Sequence, residues 1–434
     1  MLHDNAFARL SDFEETHAEF TAIRQHLHAH PELSHEEAET ARFVAEKLEA
    51  WGYEVTRGIG GHGVVGRLKA GEGTKSIGIR ADMDALPIQE ETGLAYASTV
   101  AGKMHACGHD GHTTVLLAAA EYLARTRRFS GTLNLIFQPA EEASGRSGAQ
   151  RMIADGLFQR FPCDAVFGLH NHPGVAEGHV MVRPGAIMAA SDTAMITIVG
   201  KGGHASRPHL AIDPIYIASL LVVALQSVVS RSIDPTQTSV VTVGAIHAGD
   251  AANVIPETAT MALSIRSFDA AIRDRLQARI QALTTSIAEG HGATAEVDYV
   301  RGTPVVVNSE AQTSFVRQVA EELLGDDKVS LCPLIPGSED FAYMLEECPG
   351  SFVRLGNGLS SAFLHNPRYN FADDNIPVGA ALWARLTERF LADGMPQRAV
   401  AADREPSPRS SVAEWTIHPA TGEEPCPIRP TTTP

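Results

Sequence analysis

Leu133-Asn134-Leu135-Ile136-Phe137-Gln138 runs directly into Pro139-Ala140-Glu141-Glu142. A short apolar run closed by a turn-forming proline reads as a buried strand, and two adjacent carboxylates stand at its carboxyl end. The arrangement repeats on both sides. Upstream, strand-like segments occupy 53–56, 63–68 and 76–81, and the last runs straight into Asp82-Met83-Asp84-Ala85-Leu86-Pro87. Downstream, residues 165–169 read as another buried strand delivering His170-Asn171-His172-Pro173. A helical pattern over 113–125 separates the first set from Leu133. Strands alternating with helices predict an α/β fold with a mostly parallel sheet, whose sites lie at the carboxyl ends of the strands. Asp82, Glu141, Glu142 and His170 all fall there.

Just ahead of that helix, His105-Ala106-Cys107-Gly108-His109-Asp110-Gly111-His112 gathers a thiol, three imidazoles and a carboxylate into eight residues. Thiolate and neutral imidazole suit a borderline transition metal such as zinc, and imidazole also suits manganese or cobalt. Cys107, His109, Glu142, His170 and one later histidine would make five protein ligands. That is too many for one tetrahedral ion with an open position, and suits two divalent ions sharing a bridging group. In extended backbone Glu141 and Glu142 point to opposite sides, so one can ligate while the other faces an attacking water as general base. The chemistry expected is metal-assisted hydrolysis of a carbonyl or phosphoryl derivative.

Farther out, helical patterns cover about 19–28 and 34–51, the second with Ser34 and Glu37 at capping-box spacing. Between 191 and 300 the pattern reads strand 191–199, helix 213–229, strands 239–247 and 258–267, helix 269–289 and strand 294–300. This βαββαβ order is the split-βαβ sandwich, able to bury its own core. The domains expected are therefore a discontinuous metal-binding catalytic domain over 1–185 and 304–394, with an inserted ferredoxin-like domain at 186–303. Residues 395–434 hold eight of the 24 prolines and predict a tail without a packed core.

Composition sets the class. The chain has 434 residues, 44% hydrophobic and 20% charged, which suits a soluble protein of about two domains. A formal net charge of −17 argues against nucleic acid or an anionic membrane as partner. The first twenty residues lack a signal-peptide pattern, and the apolar run 215–229 is interrupted by Ser219, Gln226 and Ser227, so a cytoplasmic protein outside the membrane is expected. The five cysteines at 107, 163, 332, 348 and 426 show no paired spacing, which leaves Cys107 free to ligate.

These segments, with Gly202-Gly203-His204-Ala205-Ser206 and Leu364-His365-Asn366, resemble the amidohydrolase branch of the aminoacylase and carboxypeptidase superfamily, over about residues 15–393. That branch includes hippurate hydrolases and hydrolases of indole-acetyl amino acids. The resemblance implies two divalent ions (Zn²⁺, Mn²⁺ or Co²⁺) held by Cys107, His109, Glu142, His170 and His365, with Glu141 as acid/base. Where the superfamily carries His-x-Asp, this chain reads Asp82-Met83-Asp84, so Asp82 is expected to orient a ligand histidine instead of binding metal. The inserted domain resembles a lid and dimerisation domain. It implies His204 as an oxyanion donor, commonly in the partner's site, Asn253 and Arg266 near the substrate carboxylate, and a homodimer or homotetramer.

The activity expected is hydrolysis of a small N-acyl amino acid, hippurate-like or N-acetyl, to a carboxylic acid and a free amino acid. A dipeptidase or carboxypeptidase would use the same centre, and a phosphoesterase or a non-catalytic metal-binding scaffold are the remaining readings. Plainer roles are expected elsewhere. His26, His28 and His30 read as a solvated helix end, His105 and His112 as structural neighbours of the ligands, and Glu339 and Asp340 as supports on the rim. His172 is the competitor to His170, which the strand end favours.

Overall fold

The computed structural model describes residues 7–143 and 145–393. The tail expected over 395–434 lies outside the described residues. The chain begins with helices α1 (His17–Ala29) and α2 (Ala38–Ala50). The stripe Ala41, Val44, Ala45 and Leu48 is buried as its spacing predicts, but α2 starts four residues after Ser34. Both side chains of the expected capping box are engaged elsewhere: the Ser34 hydroxyl donates to Asp84 (2.7 Å), and Glu37 accepts from the N–H groups of His35 (2.9 Å) and Ala140 (2.8 Å).

Strands β1 (Glu54–Ile59), β2 (Gly63–Ala70) and β3 (Ser76–Asp82) follow, then α3 (His109–Thr126), β4 (Gly131–Gln138), short helices α4 (Gly148–Ala154) and α5 (Leu157–Arg160), β5 (Ala165–His172), β6 (Val180–Val182) and β7 (Gly185–Met188). The next segment contains β8 (Ala190–Val199), β9 (Gly203–His204), α6 (Pro214–Ser232), β10 (Ser239–His247), β11 (Val254–Ile255), β12 (Thr258–Ser267), α7 (Ala270–Gly290) and β13 (Thr294–Arg301). The chain closes with β14 (Val306–Asn308), α8 (Glu310–Leu324), β15 (Val329–Leu331), α9 (Phe341–Glu347), β16 (Gly350–Gly356) and α10 (Asn375–Asp393).

The main sheet has eight strands in the order β1-β2-β4-β3-β5-β16-β6-β15. It is mixed, where a mostly parallel sheet was expected: β4–β3, β3–β5, β5–β16 and β6–β15 are parallel, while β1–β2, β2–β4 and β16–β6 are antiparallel. The reversals come from the tight β1–β2 hairpin and from the three-residue β6, too short to carry a periodic signal. One face packs Leu116, Leu123, Leu382 and Trp383 of α3 and α10, and the other Met152, Phe161, Phe341 and Phe352. Coverage on both faces is why β3, β4, β5 and β16 read as continuous apolar runs instead of alternating ones.

Strands β8, β10, β12 and β13 form a separate antiparallel sheet, in the order β10-β12-β8-β13, and with α6 and α7 they run βαββαβ along the chain. Their burial alternates, and Ile196, Ile198, Met261, Leu221, Leu225, Leu276 and Ile280 fill the layer between sheet and helices. Among the described residues α6 is the one helix with the length and mean hydropathy (1.6) of a membrane span. Its Ile217, Leu221, Leu225 and Val228 are spent on that core. The two connections to the main sheet lie side by side: Ser191 N–H donates to Thr303 O (3.0 Å), and Gly302 N–H to Asp192 (3.1 Å).

Candidate metal centre and active site

Three parallel strands end at one place, β3 at Asp82, β4 at Gln138 and β5 at His172, and Asp82, Glu141, Glu142 and His170 lie on or just past these ends. Past β4 the backbone turns sharply, with Ala140 at φ +51°. Such a conformation persists only where surroundings fix it. Glu37 accepts the Ala140 N–H, Gly148 N–H donates to Ala140 O (2.9 Å), and Glu142 N–H donates to Asp84 (3.0 Å). A Cβ at Gly148 would stand 1.6 Å from Pro139 O, so only glycine fits there. The backbone that presents Glu141 and Glu142 is this clamped turn and not the extended one expected, and both carboxylates reach within 4.8 Å of His109. Glu37→Ala orphans the buried Ala140 N–H, and is expected to cost about 1–3 kcal/mol of stability together with a lower kcat. An unchanged denaturation midpoint and an unchanged kcat would remove the clamp from this account.

Cys107 lies just before α3, and His109 is the first residue of that helix. Gly108 between them has φ +94°, and a Cβ there would fall 2.3 Å from the Asn171 side chain and 2.5 Å from Tyr369 Oη. The ligand atoms of Cys107, His109 and His170 lie within 4.8 Å of one another, and so do those of Cys107, Glu142 and His365. Cys107 belongs to both triads. Its Sγ is 3.4 Å from His170 Nε2, while His365 Nε2 is 3.0 Å from Glu142 Oε1. His170 Nδ1 donates to Asn171 O (2.8 Å) and His109 Nδ1 is bonded to Asp84 (3.1 Å). Each ring therefore turns its Nε2 to the cluster, the tautomer a metal-binding histidine needs. His109 Nε2 is buried without a hydrogen-bond partner.

This donor set fits divalent cations, which Cys107, His109, Glu142, His170 and His365 would hold. Burial, with Glu142, Glu141 and Asp82 nearby, pushes the Cys107 thiol well up, so a cation at this place is what would make it a thiolate ligand. Burial together with Glu339, Glu142 and Asp340 holds Glu141 well above the usual carboxylate range. Glu141 lies close to His109 and Glu142 on one side and to Glu339 and Asp340 on the other.

Beneath the cluster lies a polar layer whose composition sequence reasoning misassigned. Arg80 is buried and bonds Asp82 (2.7 Å), Glu339 (2.9 Å), Asp340 (3.1 Å) and Gln138 (2.8 Å). Glu339 and Asp340 line the cavity as supports, though they are buried and tied to Arg80 instead of standing in solvent. Asp82 orients His112, at 2.6 Å, whose Nε2 accepts from Asn171 N–H (3.0 Å), whereas Asp84 is the residue that orients the candidate ligand His109. His28, expected in solvent, is buried between Asp110 (2.8 Å) and Glu90 (3.3 Å). Burial alone would lower it, but those bonds outweigh burial and raise it to about 9.

The cluster opens into a cavity of about 960 Å³. Cys107, Glu141, Glu142, His170 and His365 line one wall, and Thr193 and Arg266 of the second sheet line the other. Arg266 donates to Ile265 O (2.9 Å) and burial lowers its pKa. His204 and Asn253 are not among the residues lining this cavity. Both are exposed, in and beside the β9–β11 ladder, where His204 Nδ1 accepts from Ser206 N–H (3.1 Å). Arg354, which sequence reasoning passed over, does line it.

The family model for peptidase family M20/M25/M40 matches residues 78–389. This chain belongs to that family. Within the family it falls in the amidohydrolase branch. It is 45% identical over 377 residues to the hippurate hydrolase of Campylobacter jejuni, covering 86% of this chain and 97% of that one. It is 43% identical over 374 residues to the N-acetyl-L-cysteine deacetylase of Bacillus subtilis, covering 86% and 88%. Among solved M20 structures, the YXEP protein of Bacillus subtilis, described as a dinuclear metal-binding peptidase, superposes with a TM-score of 0.77 at 33% identity, covering 87% of this chain and 99% of that one.

Proposed function

We propose that this M20 chain is a metal-dependent amidohydrolase cleaving N-acyl amino acids, hippurate-like or N-acetyl, to a carboxylic acid and a free amino acid. The observation that carries the reading is the pair of donor triads sharing Cys107, with Glu141 beside them and an arginine across the same cavity. Two divalent ions, zinc, manganese or cobalt, held by Cys107, His109, Glu142, His170 and His365 would polarise the amide carbonyl and lower the pKa of a water toward roughly 7.

The remaining work falls to the chain. Glu141 takes the proton of the attacking water and passes it to the leaving amine, the usual double duty of a positioned carboxylate. Arg266 offers a planar fork to the amino acid's carboxylate. Arg266→Met is accordingly expected to raise KM by about 10- to 100-fold with a smaller change in kcat. A fall in kcat at constant KM would move Arg266 out of ground-state binding.

Residues 186–303 are read as a ferredoxin-like lid and dimerisation domain inserted into a catalytic domain of 1–185 and 304–394. Two facts support it. His204 and Asn253 stand away from their own chain's cavity, which suits donation of an oxyanion contact and a carboxylate contact to a partner's site. Ile215, Tyr216 and Val223 of α6 and Val254 of β11 are exposed apolar side chains on this unit, as a homodimer or homotetramer interface requires. The free thiols of Cys107, Cys163, Cys332 and Cys348 suit a cytoplasmic protein.

The test is a substrate panel of N-acetyl and N-benzoyl amino acids in both chiralities, matched dipeptides and a phosphate monoester. Amino-acid release from the N-acyl compounds is expected. Release confined to dipeptides would make the chain a peptidase, and turnover of the ester alone would overturn the reaction class.

A further inference from the structure

One charge on the cavity floor is unused by the chemistry above. Arg354 lies in β16 in parallel register with His170 of β5. It is 2% exposed, yet it lines the cavity together with Cys107, Glu141 and His170. Its Nε and Nη1 are buried and have no hydrogen-bond partner. The other buried arginines near the site are treated differently: Arg80 is bonded to three carboxylates and an amide, and Arg24 to Asp373 and Asn370. The fold thus neutralises buried guanidinium groups wherever they serve the structure alone. A buried guanidinium without a hydrogen-bond partner costs stability that a leucine at the same place would not, and Glu339, Cys107 and Glu141, acidic groups that act on Arg354 through space, belong to the site itself.

We propose that Arg354 receives a carboxylate carried by the acyl group of the substrate, so that the preferred substrates are amino acids acylated by a dicarboxylic acid. The inference rests on the amidohydrolase reading and names its substrate class. The scissile amide must lie beside Glu141. Arg266 lines the cavity from β12 of the second sheet and takes the amino acid's own carboxylate, which leaves the acyl part for the main-sheet side of the cavity, lined by Arg354 of β16. The Phe352 ring centroid lies 5.8 Å from the Arg354 guanidinium carbon, within cation–π range. The unpartnered Nε and Nη1 groups donate on different edges of the planar guanidinium, and each lacks the acceptor that a carboxylate oxygen supplies.

The test uses metal-loaded enzyme and pairs of substrates with one amino acid, N-succinyl against N-butanoyl and N-glutaryl against N-pentanoyl. The wild type is expected to prefer the charged member of each pair. In Arg354→Met the ratio of kcat/KM between charged and uncharged members should fall at least about 30-fold, chiefly through KM, with the metal content unchanged. Arg354→Lys should recover part of it. A wild type without preference for the charged acyl group overturns the proposal, and does so even if the Met variant fails to fold. Equal losses on both members, or loss of metal, would make Arg354 a counter-charge to the ligand cluster instead. If no N-acyl amino acid is hydrolysed, the amidohydrolase reading fails separately. Calorimetry of glutarate against pentanoate then decides on Arg354: tighter glutarate binding abolished in the Met variant supports its role, and equal binding by both proteins overturns it.

Discussion

Replacing Glu141 by glutamine is expected to leave both metal ions in place while slowing amide hydrolysis by about 10²- to 10⁴-fold. The amide keeps the size of the side chain and removes its ability to accept a proton. The two triads that share Cys107 do not include Glu141, and although its carboxylate also lies within 4.8 Å of His109 and Glu142, the glutamine keeps an oxygen there, so metal content should stay at the wild-type level. The turn that aims it is held through Ala140, Glu142 and Gly148 and not through the Glu141 side chain, so the backbone should survive the change. Elemental analysis alongside steady-state kinetics reads both halves. Near-normal turnover in the glutamine variant would remove Glu141 from proton transfer, and loss of metal would make it a ligand.

Cys107→Ala should behave differently, losing metal and activity together. Its sulfur is common to both triads, so its removal weakens two sites at once. The loss of affinity should exceed the about 10- to 100-fold typical when a hydrogen-bond partner of a ligand is removed. Cys107 is 5% exposed among buried neighbours, so the small side chain fits and the fold should persist. Full metal occupancy with retained activity in this variant would end the assignment of Cys107 as a ligand.

The contrast between these residues and Arg354 shows what the sequence carried. Cys107, His109, Glu142 and His170 were legible because each lies within a short segment whose residue types declare the chemistry, at or just beyond a strand end or helix start. The strands and helices of the second, antiparallel sheet were legible for a similar reason, since its strands are long, half-buried and periodic. What escaped depends on which elements become neighbours. Arg354 sits in an apolar strand, and its importance appears only once β16 pairs with β5 and places it beside His170. Glu37 looked like half of a capping box until the fold brought Ala140 within 2.8 Å of it. Asp82 and Asp84 are two residues apart, and nothing local says that Asp84 meets His109 while Asp82 meets His112. His28 reads as a solvated helix end because Asp110 and Glu90, its partners, are 82 and 62 residues away.

The central claim is a dinuclear centre built on Cys107 that hydrolyses an N-acyl amino acid. The most direct measurement strips the protein of metal, returns zinc, manganese or cobalt in steps, and follows bound metal per chain together with amino-acid release from hippurate and N-acetyl amino acids. The account predicts no release from stripped protein, binding that saturates at two ions per chain, and activity that appears as the ions bind. Undiminished release by metal-free protein, or saturation at two ions per chain without hydrolysis of any N-acyl amino acid, would contradict it.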